Sequence, residues 1–81
     1  MTLAEIEEIV KNYLIEEFEI DEEDITPDAT LKEDLGIDSL DFVDIVVMVK
    51  RTFNFRIEKN EMGDVKTFRE FCRFIESKIK S

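Results

Sequence analysis

Three helix-start signatures punctuate this chain, and each opens a segment whose apolar residues recur at steps of three and four. Thr2 with Glu5 and Thr67 with Glu70 are capping boxes, in which hydroxyl and carboxylate satisfy backbone N–H groups reciprocally. Asp38, with Asp41 three residues on, reads as the N-cap of a helix that begins at Ser39. After the first signature, Leu3, Ile6, Ile9, Val10, Tyr13 and Leu14 predict a helix from Leu3 to Glu17. After the last, Phe68, Phe71, Cys72, Ile75 and Ile79 predict one to Lys78.

The middle segment, Ser39 to Arg51, carries Leu40, Phe42, Val43, Ile45, Val46, Val47, Met48 and Val49. So many β-branched residues also suit a strand. The cap and the polar stripe of Asp41, Asp44, Lys50 and Arg51 select the helix. Lys50 and Arg51 then complement its C-terminus. An apolar spread this wide means a central buried helix or an apolar surface kept for partners.

Residues 18–38 form a long connection holding Pro27, Gly36 and the acidic run Asp21 to Asp24. A structureless loop of that length is unusual in a compact domain. Phe18, Ile20, Ile25, Leu31 and Leu35 are placed to pin it to the core. Asn54 to Arg56 read as loop, and Glu58 to Met62 as one short helical turn ended by Gly63. The expected fold is an all-α four-helix bundle of one domain, residues 1–81, with three main helices, a short third helix and a long first loop. A chain this short buries a modest core.

Charge is segregated along the chain. Residues 1–44 carry 16 acidic and 2 basic side chains, whereas residues 45–81 carry 5 and 9. The acidic half argues against nucleic acid and anionic membranes as partners, and for basic protein surfaces. The N-terminal residues are acidic and amphipathic, unlike a signal peptide, and no apolar run reaches a membrane span, so a cytoplasmic location is expected; the expected oligomeric state is a monomer. The single cysteine, Cys72, falls on the apolar spacing of the last helix and reads as core.

Catalysis by the chain itself is not expected. It has no His, hence no Ser-His-Asp set and no plausible zinc cluster. Its glycines, Gly36 and Gly63, make no phosphate-binding loop. The acidic run fails as a calcium loop, because Ile25 and Thr26 stand where a ligand and the glycine are needed. No metal site is expected.

Ser39 is the chemically placed residue. Gly36 permits a turn, Asp38 caps the helix, and the Ser39 hydroxyl lies on the first helical turn, where free N–H groups favour a negative group. The run Glu33-Asp34-Leu35-Gly36-Ile37-Asp38-Ser39-Leu40-Asp41 resembles the prosthetic-group attachment motif of acyl carrier proteins, whose core is Asp-Ser-Leu after Leu-Gly. Asp24-Ile25-Thr26, Leu31 and Phe53 also fall where that family places them, so the resemblance covers nearly the whole chain.

The resemblance implies a non-catalytic carrier bearing 4′-phosphopantetheine on Ser39, supplied from coenzyme A by a phosphopantetheinyl transferase. It implies acyl thioesters as cargo, in fatty-acid or specialised polyketide or lipid synthesis, and synthase enzymes with basic docking patches as partners. Asp38, Asp41 and Asp44 are the candidate steering charges, with Asp41 and Asp44 expected to be exposed. Leu40, Val43 and Val47 are the candidate apolar contact, although Val43 and Val47 serve equally well as core. The family's acyl cavity implies a lining drawn from Leu31, Phe42, Ile45, Val49, Ile57, Met62, Val65, Phe71 and Phe74, all of which also read as plain core.

Two departures stand out. Fatty-acid members usually continue the second helix with acids before the Phe, where this chain has Lys50-Arg51-Thr52-Phe53. A smaller side chain is common at Phe71, so Phe42 and Phe71 together narrow the expected cavity towards short or aromatic cargo. A peptidyl or aminoacyl carrier is the near alternative, but such carriers usually show a second Gly, and often a His, before the Ser, where this chain has Ile37-Asp38. An unmodified acidic interaction module is the far one.

Overall fold

The computed structural model describes residues 1–80, and among them lie three α-helices: α1, Leu3–Phe18; α2, Ser39–Phe53; and α3, Phe68–Lys80. Two short 3₁₀ turns, Glu22–Asp24 and Lys59–Met62, complete the regular structure. The described residues are all-helical, with one isolated bridge among them, between Thr30 and Thr67.

Each helix starts at a reciprocal cap. Around α1, Glu5 N–H donates to Thr2 Oγ1 (3.2 Å) and Thr2 N–H to Glu5 Oε1 (2.8 Å). The same exchange joins Thr67 and Glu70 at α3 and Asp38 and Asp41 at α2. α1 buries Ile6, Val10 and Leu14 at four-residue steps and packs against α3, which buries Phe68, Phe71, Cys72 and Ile75. α2 contributes Ile45, Met48, Val49 and Phe53. Removing a side chain of this size from water is worth about 1.5–3 kcal/mol, so these residues dominate the stability of the fold. Burial pushes the Cys72 thiol up to about 12, leaving it a protonated core residue.

The helix ends differ from the sequence expectation. α2 runs to Phe53 rather than Arg51, and α3 to Lys80 rather than Lys78. α2 stops where Asn54 takes the left-handed conformation (φ 61°), which Asn tolerates better than most residues. The last turn of α3 carries the Lys80–Glu76 pair at 3.4 Å. Gly63 is right-handed (φ −56°), so it does not end the Lys59–Met62 turn by a left-handed cap. Lys78 of α3 instead reaches that turn through an ion pair with Glu61.

The long connection is ordered by its apolar residues and by the start of α3. Ile25, Ala29, Leu31, Leu35 and Ile37 are buried, while Phe18 and Ile20 pack at the edge of the core. Leu31 N–H donates to Lys66 O (2.9 Å), Phe68 N–H to Ala29 O (2.9 Å) and Arg69 N–H to Pro27 O (3.1 Å). Thr30 and Asp34 exchange backbone-to-side-chain hydrogen bonds of 2.8 and 3.0 Å, closing the turn that leads to Gly36. Lys11 of α1 pairs with Glu22 at 2.9 Å. The segment before α2 is thereby held in place.

The Thr67–Glu70 cap fastens both α3 and this connection. Backbone N–H groups of Thr67 and Lys66 hold the Glu70 carboxyl below its ordinary value of 4.5. Its contribution to stability is therefore complete above that value and lost as pH falls through the lower folded value. Glu70→Ala should reduce the melting temperature at neutral pH and flatten the acid limb of its pH profile. Parallel acid limbs in variant and wild type would contradict this role.

Candidate functional site around Ser39

Gly36 adopts φ +70°, a conformation that strains any residue with a side chain even though the space there is open. Buried Leu35 and Ile37 flank it, and Ile37 N–H donates to Leu31 O (2.9 Å). The turn is thus nailed down on both sides. Asp38 follows in an extended conformation and its Oδ1 accepts the Asp41 N–H at 2.9 Å. Ser39 is the first residue of α2 and is exposed. It therefore opens the turn whose N–H groups no helical carbonyl can reach. A negative group on its hydroxyl oxygen would meet the positive end of the helix.

A cleft of about 840 Å³ opens beside Ser39. Among the sequence candidates for an acyl lining, Leu31, Phe42, Ile57, Met62 and Val65 border it. Ile45, Val49, Phe71 and Phe74 do not. The first three are fully buried in the core, and Phe74 packs edge-to-face on Phe55 with ring centroids 6.3 Å apart. Phe71 meets Phe42 edge-to-face at 6.1 Å, so it backs the cleft through that ring. Sequence reasoning missed Ile37 and Val46, which also border the cleft, and its polar rim of Thr30, Lys32, Glu33 and Lys66. Val46 was findable, since it lies one helical turn from Phe42. The Lys66 rim depends on the Thr30–Thr67 bridge, which leaves no local signal.

Leu40, Val43 and Val47 are 80, 58 and 47 % exposed, which removes them from the core. All three lie on α2. Asp38 and Asp44 are exposed, but Asp41 is half-buried and committed to the cap, against the expectation of free exposure. Asp44 also fixes α2 to α1, because its carbonyl accepts the Tyr13 hydroxyl at 3.2 Å. Burial first, then the Asp44 and Glu17 charges, raise the Tyr13 hydroxyl above its ordinary value, so it remains a donor at neutral pH.

This arrangement presents an exposed hydroxyl at a helix start, and the chain has no His to pair with it. Among the described residues, no group of three or more His, Cys, Asp or Glu is placed to hold a metal. Among the described residues, no helix is long and apolar enough to cross a membrane. The exposed hydroxyl has an apolar cleft and an exposed helix face next to it.

Comparison with known proteins agrees in type. The family profile described as the phosphopantetheine attachment site matches residues 8–75. An acyl carrier protein of Coprothermobacter proteolyticus is 34% identical over 70 residues, 86% of this chain and 85% of that protein.

Proposed function

The chain belongs to the phosphopantetheine-attachment family of acyl carrier proteins, and on that premise we propose that Ser39 is its attachment residue. The prosthetic group is covalent 4′-phosphopantetheine, whose terminal thiol carries acyl groups as thioesters. Exposure of Ser39 at the start of α2, with an apolar cleft alongside, is the observation that carries the residue assignment. A transferase using Mg²⁺ would take the Ser39 proton and direct the oxygen onto the pantetheine-side phosphorus of the coenzyme A pyrophosphate, breaking the P–O–P bond, releasing adenosine 3′,5′-bisphosphate and leaving a phosphodiester on Ser39. Leu31, Phe42, Ile57, Met62 and Val65 shelter the cargo. We read the Lys59–Met62 turn as the short third helix of the carrier bundle, and the protein as a cytoplasmic, monomeric carrier serving a specialised pathway. Intact mass after incubation with coenzyme A and a promiscuous transferase is the test. Gain of one phosphopantetheinyl group supports the carrier reading; an unchanged mass favours the interaction module.

Docking is assigned to the exposed face of α2, with Leu40, Val43 and Val47 as the contact and Asp44 as the cleanest steering charge. Steering by exposed charges speeds encounter more than it tightens binding. Asp44→Lys should slow modification of Ser39 several-fold at low salt and converge towards wild type as salt is added. Circular dichroism should be unchanged. Asp41→Lys is a poorer probe, because it also removes half of the cap, at a cost of about 1 kcal/mol. Salt-independent, wild-type rates for Asp44→Lys would remove the acid from the docking surface.

A further inference from the structure

We infer that the protein surface docking on α2 is itself bipolar: basic opposite Asp44, apolar opposite Leu40, Val43 and Val47, and acidic opposite Lys50 and Arg51. The inference rests on the docking role of α2 proposed above and specifies the chemistry of the partner. Leu40, Asp44, Val47 and Arg51 follow at steps of four, three and four, which stacks them in one stripe along the helix. Val43 and Lys50 flank the stripe on one side. Asp44, Lys50 and Arg51 are all exposed, as are the three apolar residues. The face is therefore sorted, with acid and apolar groups towards Ser39 and cations at the far end.

The spacing makes the two ends electrically separate. Six to seven residues of helix set the Asp44 and Lys50–Arg51 backbones about 10 Å apart. Screening at physiological salt acts over about 8 Å. A uniformly basic partner therefore gains at one end and is repelled at the other, whereas a bipolar partner gains at both. The ion pairs found among the described residues join Lys11 to Glu22, Lys78 to Glu61 and Lys80 to Glu76, so they draw on other side chains. Lys50 and Arg51 also complement the helix C-terminus, but that role does not require them to share a face with Leu40 and Val47. Repulsion at this end rejects partners that are basic throughout, which is how like charges confer specificity.

The test uses two synthetic peptides of equal length with the same apolar core. One has two lysines at each end; the other has two lysines at one end and two glutamates at the other. Each is titrated into isotope-labelled full-length protein, and α2 amide shifts give the ratio of the two affinities. Lys50→Glu with Arg51→Glu should move that ratio about two- to fivefold towards the all-lysine peptide, the size expected of exposed ion pairs. Arg69→Glu with Arg73→Glu, exposed on α3, changes net charge equally and should leave the ratio unchanged. Lys50→Gln with Arg51→Gln should fall between. Equal movement in both charge-reversed variants reduces the effect to net charge and overturns the inference. Binding of neither peptide to wild-type α2 overturns it together with the docking role, while phosphopantetheinylation of Ser39 stands or falls separately by mass. Sedimentation as a dimer buried through α2 assigns the face to a second copy and also overturns it.

Discussion

Ser39→Ala is expected to abolish phosphopantetheinylation completely while leaving the fold intact. Ser39 occupies the first position of α2 and is exposed, and the cap is supplied by Asp38 and Asp41 rather than by its hydroxyl. Ala is a good helix former, so the backbone loses nothing at that position. The loss is therefore chemical, because the hydroxyl presented beside both the helix N-terminus and the cleft has been removed. Thr30 also borders the cleft, but its hydroxyl accepts the Asp34 N–H at 3.0 Å and lies within the turn. Ser77 lies far along the chain on α3. Intact mass and peptide mapping after incubation with coenzyme A and transferase decide the point, with circular dichroism as the control. A mass gain surviving in Ser39→Ala, or mapped to Thr30 or Ser77, would remove Ser39 from the mechanism.

Helix starts were legible because their chemistry is local. Thr2–Glu5, Asp38–Asp41 and Thr67–Glu70 each name a start within three residues, and all three starts stand in the structure. Helix ends were less legible. The left-handed stops fall on Glu19 and Asn54, neither of them the glycine that usually signals one. Gly63 sent a stop signal that its right-handed backbone does not use. The cross-links that order residues 26–37 join them to Lys66, Phe68 and Arg69 across more than thirty positions, and no periodicity reports such pairing.

The site divides along the same line. The Gly36–Ser39 turn and its cap were readable from the adjacent residues Gly36 to Asp41. Which face of α2 is buried was not, since apolar side chains surround most of that helix. The structure resolves it by exposing Leu40, Val43 and Val47 while burying Ile45, Met48 and Val49. The same ambiguity blurred the cleft, because a residue behind its wall and one in it share the apolar spacing.

Phe42 and Phe71 make that last distinction measurable, and their alanine variants should behave oppositely. Phe71 is 1% exposed and contributes to the core, whereas Phe42 is half-buried and borders the cleft. Emptying a fully buried aromatic site costs about 3–5 kcal/mol. A small domain has a total of roughly 5 kcal/mol or somewhat more. Phe71→Ala should therefore be close to unfolded at 25 °C, with a large loss in urea midpoint. Phe42→Ala should retain the fold, losing about 1–2 kcal/mol because part of its ring is already in water. Its effect appears in the cargo instead, because removing the ring deepens the cleft towards Phe71. Thioesters of increasing length on the modified protein should raise the melting temperature of wild type only for short or compact acyl groups. In Phe42→Ala the maximum should move to longer chains. Urea melts showing equal losses for the two variants would place both rings in the core. An unmoved chain-length maximum in Phe42→Ala would mean that its ring does not set the depth of the cleft.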